Sequence, residues 1–307
     1  MITRHERKSF SWVDLEAPTK EELHGILKEF DIDPEIEEEI VAPTPYPLVA
    51  LFPRYTFLVL HFPTANIATG DARSQEIDIL VGKNFMITAR YELVGSIQGL
   101  HKVFEAEELV GTESTSRSES GFLVERVLRR LYSAMSEEVE QTARALERIE
   151  KDIFNGKEHT TVRAISEVGR ILLRFDTTLT RHGEPLAVFL RALEGPDFFG
   201  KKFALSAAHI EAERAHVAGL VASFRAVARE LRTTNDSLLS SSQNNAMKTF
   251  TGITVLVLPL SLIAGLFGMH VKHAPILGHP FDFWLILSMM LVISIFLFIY
   301  LRYRKWL

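Results

Sequence analysis

Hydroxyl, glycine and a few larger side chains recur at alternating spacings of four and three along one uncharged stretch near the carboxyl end. The positions are Met247, Thr251, Thr254, Leu258, Ser261, Gly265 and Gly268. On an α-helix these spacings place all seven residues on one face. A face turned to lipid is apolar, so this face is expected to meet either another helix or water. Small residues favour close helix packing in membranes, whereas copies of the helix around an axis would make it the wall of a pore. The spacing leaves both interpretations open.

Histidine supplies a second set of residues with possible metal chemistry. His270, His273 and His279 lie within ten residues of sequence, and imidazole suits zinc, nickel, cobalt or copper better than magnesium. Further back, three more potential ligands follow the spacing i, i+4, i+7, which places them on one helix face: His209, Glu213 and His216. They are a candidate metal sensor, or simply surface residues.

The carboxyl-terminal part of the chain contains two long apolar stretches. Residues 249–271 and 283–301 contain 23 and 19 residues without Asp, Glu, Lys or Arg. At about 1.5 Å per residue, each helix is long enough to cross a hydrocarbon layer of ~30 Å. The link between them, residues 272–282, contains Pro275, Gly278 and Pro280 and predicts a tight loop outside the membrane.

Positive charge indicates the orientation of this helical hairpin. Lys248 precedes the first span, whereas the loop offers only Lys272, offset by Asp282. Three more cations follow the second span, namely Arg302, Arg304 and Lys305. The excess places both ends of the chain in the cytoplasm. The first ten residues lack the apolar core of a signal peptide, so we expect residues 1–246 to be cytoplasmic and the hairpin to lie in the inner membrane.

Composition excludes several classes of function. The chain has no cysteine, which excludes disulfides and thiolate metal sites. A net charge of −5 gives no general basic surface for nucleic acid. The sequence shows neither a phosphate-binding glycine loop nor a nucleophile–histidine–acid grouping. We therefore expect neither an enzyme nor a nucleic-acid-binding protein, and no bound cofactor.

The region before the spans divides by its periodicity. Short apolar runs predict strands at residues 10–15, 49–51, 56–62, 76–81 and 85–90, with helices between 18 and 41 and over 97–109. Residues 1–110 are therefore predicted to form a mixed α/β domain with a largely antiparallel sheet. Helical spacing over 124–153 and 165–193 then predicts an antiparallel hairpin, disturbed near Gly183 and Pro185. Acidic residues crowd its first helix, as a solvated face or as a surface that concentrates cations.

A third helical pattern begins near Ser206 and continues to Phe267. Such a helix, on the order of 90 Å long, cannot bury itself and implies a bundle of several copies.

With these elements in place, the chain resembles the CorA magnesium-transporter family. The matching segments include SWVDL, TFLVLHFPT, EIDILVGKNFMITAR, ALERIEKDIFNGKE, NNAMKTFTGITVLVLPLSLIAGLFGM and RYRKWL. The resemblance implies an α+β cytoplasmic domain (1–110), a helical hairpin (111–205), a stalk helix continuing into the first span (206–268), an outer loop (269–282), a second span (283–301) and a basic tail (302–307). It also implies a homopentameric pore for divalent cations in a lipid bilayer.

The resemblance also implies roles for individual residues. Asn244 falls at the polar constriction near the cytoplasmic face, and Leu258 and Ser261 fall at hydrophobic and hydroxyl pore positions. Lys248 and the basic tail would surround the inner mouth. The family's acidic girdle falls at Thr233, with Asp236 nearby as a candidate metal ligand, so the usual closed-state magnesium clamp is in doubt.

One departure from the family concerns the outer mouth. Gly268, Met269 and His270 occupy the Gly-Met-Asn signature, with histidine in place of asparagine. Magnesium prefers oxygen ligands and keeps its waters, whereas imidazole suits transition ions. With His270 at this position, the candidate cargo is therefore Mg²⁺ or a transition ion such as Zn²⁺, Co²⁺ or Ni²⁺. Proton-coupled zinc transport is one alternative, since histidine titrates near neutral pH. A non-conducting membrane-anchored metal sensor or scaffold is another.

Overall fold

A computed structural model describes residues 1–7, 10–66, 71–91, 97, 99, 101–102, 119–268 and 281–304. The chain forms two compact units, Met1–Arg232 and Thr233–Leu307. The predicted segments 1–110 and 111–205 thus fall in one unit. Met269, His270, His273, His279 and Lys305 lie outside the described residues.

The first unit is built on a six-stranded sheet. Its strands are β1 (Ile2–Arg7), β2 (Phe10–Glu16), β3 (Leu48–Leu51), β4 (Tyr55–Asn66), β5 (Asp71–Gly82) and β6 (Phe85–Arg90). They lie in the order β1-β2-β6-β5-β4-β3, and every neighbouring pair except β2–β6 is antiparallel. The five predicted strands are all present. The edge strand β1 was not predicted, because ITRHER has no apolar alternation to reveal it.

Five α-helices with described bounds complete this unit, and the last of them continues into the second unit. They are α1 (Lys20–Glu29), α2 (Pro34–Val41), α3 (Glu119–Phe154), α4 (Glu158–Leu193) and α5, which begins at Ala204. Thr19 and Glu22 form a capping box at the start of α1, and Pro34 occupies the first turn of α2, where its missing N–H costs nothing. Of the predicted helix 97–109, the described residues Ile97, Gly99, His101 and Lys102 are helical.

The predicted disturbance near Gly183 and Pro185 is wrong, since α4 runs without a break through both. Proline removes the hydrogen bond to the carbonyl of Arg181. Arg181 is exposed, so that carbonyl can meet water, while Leu186 and Phe189 next to it are fully buried. Core packing therefore outweighs the local defect.

The sheet has an apolar core on each face. Helices α1 and α2 cover one face over residues such as Val59 and Ile87. On the other face, Leu58 and Ile79 belong to one continuous core with residues of α3, α4 and the first part of α5. The helical hairpin therefore shares a core with the sheet.

Two buried acids in the sheet have opposite surroundings. Asp14 accepts hydrogen bonds from Thr88, Arg90 and His101 at 2.6, 3.0 and 2.9 Å. Burial alone would raise its pKa, but these bonds outweigh burial and lower it. Asp78 is fully buried, and neither carboxyl oxygen has a hydrogen-bond partner among the described residues. Burial raises the pKa of Asp78 well above its ordinary value.

Candidate functional site

The second unit contains the carboxyl part of α5, which ends at Gly268, and α6 (Asp282–Tyr303). Both helices are long and apolar enough to cross a membrane. Only 6 % of the most apolar window of either helix is buried within the protein. That fraction is far too low for the core helix of a soluble domain.

One face of each of these helices is shielded. On α5 Gly252 is buried, and half-buried residues follow at intervals of three and four: Leu256, Pro259, Leu260, Ile263 and Phe267. On α6 the shielded residues are Ile286, Met289, Met290, Ile293, Ser294, Leu297 and Leu301. A single stripe on each helix is the pattern of two helices packed side by side.

The predicted polar stripe lies on the opposite face of α5. At about 100° per residue, its centre is about 180° around the helix from the shielded residues. Leu258 is 62 % exposed and Met247 65 % exposed, and Thr254, Ser261, Gly265 and Gly268 are exposed as well, whereas Thr251 is half-buried. The stripe therefore does not pack against the shielded side of the same chain's hairpin. It is available to water or to other copies of the helix.

The stripe is longer than the sequence analysis proposed. Continued toward the amino end with the same alternating spacing, it includes Asn244, Ser240, Ser237 and Thr233. The resulting eleven positions follow a strict seven-residue repeat over one continuous helix. A repeat of 3.5 residues per turn is typical of helices that supercoil around a common axis with this face inward. The family resemblance had singled out Asn244 and Thr233, but Ser237 and Ser240 were missed because a polar segment shows no apolar periodicity.

The hydroxyl groups of two threonines on the stripe have defined donor and acceptor roles. Thr251 donates its hydroxyl to the carbonyl of Met247 at 2.8 Å, and Thr254 donates to the carbonyl of Phe250 at 2.9 Å. Each proton is committed to the backbone, so the hydroxyl oxygen remains as an acceptor. These positions can therefore accept hydrogen bonds from water bound to a cation.

The predicted residues before the first span lie together. Asp236, Asn244 and Lys248 line one open groove along α5 with hydroxyl and amide neighbours, namely Thr233, Ser237, Ser240, Ser241 and Asn245. Asp236 is the single acid among them. The groove thus offers neutral oxygens together with one carboxylate, Asp236, and one ammonium group, Lys248, per chain.

The candidate sensor at His209, Glu213 and His216 is not assembled as a metal site. His209 contacts Glu125 of α3 at 2.8 Å, and Glu213 lies 3.9 Å from Arg129. His216 is exposed. Within the described ranges, no group of three or more histidine, aspartate or glutamate side chains is placed to hold a metal. The spacing was correct for one helix face, but α3 supplies other partners for that face.

Comparison with known proteins identifies the family. The model of the CorA-like Mg²⁺ transporter family matches residues 7–304. The chain belongs to the CorA family. It therefore has the fold of a divalent-cation transporter and is an integral membrane protein. The predicted fold class is confirmed.

Individual proteins are similar to this one along nearly the whole chain. The cobalt/magnesium transport protein CorA of Thermotoga maritima is 21 % identical over 298 residues, covering 97 % of this chain and 83 % of that protein. The putative metal ion transporter YfjQ of Bacillus subtilis is 22 % identical over 297 residues, covering 96 % and 89 %. The complete structure of the CorA magnesium transporter from Methanocaldococcus jannaschii matches with a TM-score of 0.84 at 20 % identity, covering 99 % of this chain and 93 % of that one.

The remaining predicted residues lie at the ends of the two membrane helices. Gly268 is the last described residue of the signature and is exposed at the end of α5. Lys248, Arg302 and Arg304 are exposed, as cations at a membrane boundary are expected to be.

Proposed function

We propose that this chain carries divalent cations across a membrane through a pore lined by α5 in a homo-oligomer, with five copies as the family resemblance implies. The observation that supports the proposal is the stripe of eleven positions from Thr233 to Gly268. A polar face on a membrane helix, turned away from the hairpin partner and repeating every seven residues, is best satisfied by identical faces around an axis.

The ion would travel with its water. Magnesium gives up its hydration shell reluctantly, and the hydrogens of ion-bound water point outward. Rings of Asn244, Thr251 and Thr254 offer oxygen acceptors to those hydrogens. Leu258 lies between the Thr254 and Ser261 rings, where five leucine side chains would form a dry constriction.

The choice of ion depends on His270 in the proposed mechanism. An imidazole ring at the outer mouth would accept hydrogen bonds from hydrated Mg²⁺ or bind Zn²⁺, Co²⁺ or Ni²⁺ directly through nitrogen. Proton coupling is the related proposal, because protonated imidazole would repel a cation and lose its acceptor nitrogen. The amino and carboxyl ends would face the cytoplasm, with the hairpin in the inner membrane.

A second candidate function is a membrane-anchored oligomer that senses metal without conducting it. The histidine in the signature is the observation that favours it. The long polar stripe argues against it, since a simple anchor has no need of a hydroxyl-lined face.

Ion uptake into sealed proteoliposomes tests these proposals. Vesicles holding dyes for magnesium or zinc would receive each ion at pH 6 and pH 8. Saturable entry supports the pore, and the preferred ion and its pH dependence decide between the cation choices. Silence for every ion from a protein shown to be an intact oligomer would contradict transport and favour the sensor.

A further inference from the structure

A groove in the first unit, between α4 and α5, is lined by arginine side chains. Arg225, Arg229 and Arg232 come from α5, and Arg170 faces them from α4. The groove has a volume of about 380 Å³. Its other lining residues are neutral: Ile165, Ser166, Gly169, Leu173 and Ala228. Four guanidinium groups thus share one groove without a carboxylate in its lining.

Two of the four arginines, Arg225 and Arg229, interact with other residues, whereas Arg170 and Arg232 have no partner among the described residues. Arg225 pairs with Asp176, just outside the groove. Arg170 and Arg232 have neither an ion pair nor a hydrogen bond with any residue in the described part of the chain. Glu167, which precedes Arg170 by three residues on α4, pairs with Arg163 at 2.9 Å. Glu230, next to Arg229 in the sequence, is exposed and does not line the groove. The groove therefore keeps a surplus of cationic side chains.

The arrangement of the arginines suits phosphate. Arg225, Arg229 and Arg232 follow the spacing i, i+4, i+7, so they extend along one side of α5 over about 10 Å. Each guanidinium can donate two parallel hydrogen bonds to a phosphate, and Arg170 closes the opposite wall. Leu173, 50 % exposed, adds an apolar patch beside the charges.

We propose that this groove binds a phosphate-bearing anion. The spread of the guanidinium groups fits an anion with more than one phosphate, such as a nucleoside triphosphate. An acidic lipid headgroup offers the same chemistry from another source. The groove lies within one compact unit, and its occupation can be measured without ion transport, so this proposal stands or falls separately from the pore.

The test uses the full chain in phosphatidylcholine nanodiscs without divalent metal. Isothermal titration with sodium triphosphate measures binding at low salt. The variants are Arg170→Gln and Arg232→Gln, whose side chains have no described partner to lose. Arg191→Gln is the matched control, since Arg191 is exposed on α4 but does not line the groove. A second titration replaces triphosphate by a soluble short-chain phosphatidylglycerol.

The expected result is saturable triphosphate binding that weakens with salt. Each groove variant lowers the association constant about tenfold, as the loss of one charge-assisted hydrogen-bonding group predicts, and Arg191→Gln leaves it unchanged. Arginine-dependent binding of phosphatidylglycerol in place of triphosphate would assign the same site to a lipid headgroup.

If neither triphosphate nor phosphatidylglycerol binds, or if all variants bind equally, the proposal is overturned. Dissociation of the oligomer in Arg170→Gln or Arg232→Gln without added anion would also overturn it, since the groove would then be a contact between copies.

Discussion

Thr254 donates its hydroxyl to the carbonyl of Phe250 at 2.9 Å, and this bond determines what the polar face of α5 offers to an ion. With its proton committed, the hydroxyl can only accept at that face. An acceptor suits the outward-pointing hydrogens of a hydrated cation. An anion would find no donor there.

Replacing Thr254 by valine keeps the size of the side chain and removes the acceptor. We expect Thr254→Val to reduce the initial rate of divalent-ion uptake into proteoliposomes roughly tenfold. This factor corresponds to about 1.4 kcal/mol, the net contribution of about one hydrogen bond to the passing hydrated ion. Thr249→Val is the control. Thr249 makes the same backbone bond, to Asn245 at 3.1 Å, but lies on the other side of the helix. An equal loss in both variants would show that the hydroxyls shape the helix and do not contact the ion.

Leu258 is expected to limit the resting leak. Leu258→Ala should widen the dry constriction and raise uptake several-fold under conditions in which the wild type is closed. Leu266→Ala gives the matched comparison, because Leu266 is a leucine of the same helix with a similar exposed fraction, 57 % against 62 %, and lies off the stripe. A rise in both variants would indicate general loosening of the membrane helices.

The identity of the transported ion should depend on His270. His270→Asn restores the oxygen acceptor of the family signature, so we expect preference to move from transition ions toward magnesium. Any change of uptake between pH 6 and pH 8 should disappear as well, because asparagine does not titrate. Competition between Mg²⁺ and Zn²⁺ in the uptake assay measures this, with His279→Asn as the loop control. Unchanged preference would remove His270 from the selectivity mechanism.

Local patterns in the sequence predicted most of the fold. The predicted strands alternate or are wholly apolar, and the membrane spans, residues 249–271 and 283–301, contain no charged residue. Periodicity and composition were therefore sufficient to predict them. Strand β1 was not predicted because an exposed edge strand such as ITRHER has no apolar face. The continuity of α4 through Pro185 was not predicted either, because it depends on burial of the residues next to the proline, which is a tertiary effect.

Relationships between distant residues could not be predicted in the same way. Asp14 and Arg90 pair at 3.0 Å across a separation of 76 residues, and nothing in either neighbourhood shows it. The candidate metal ligands on α5 show the same limit. Their spacing correctly placed His209 and Glu213 on one helix face, but these side chains contact residues of α3 that the spacing could not reveal. For the polar stripe of residues 247–268, helix geometry alone was enough to place its residues on one face, since they all belong to one helix.

Buried Asp78 makes the stability of the first unit depend on pH. Asp78 belongs to β5, and its carboxyl interacts electrostatically with Glu76, Glu39 and Tyr91. Burial, assisted by the negative charges of the two glutamates, raises the pKa of Asp78 well above its ordinary value. In the unfolded chain an aspartate ionises near pH 3.9. Between that pH and the raised folded pKa, the folded state holds a proton that the unfolded state has released. The free energy of unfolding therefore falls as pH rises through this window and is constant above it.

Asp78→Asn should remove this penalty, because the amide cannot ionise and has nearly the shape of the protonated acid. We expect the apparent Tm of the full chain in detergent to exceed that of the wild type by about 3 °C at pH 8, as a gain on the order of 1 kcal/mol implies for a chain of this size, and by less at pH 4.5. Asp197→Asn makes the same chemical change at an exposed position of the same unit and should leave the Tm unchanged at both pH values. A lower Tm for Asp78→Asn than for the wild type at pH 8 would mean that the ionised carboxylate is stabilised in the folded protein.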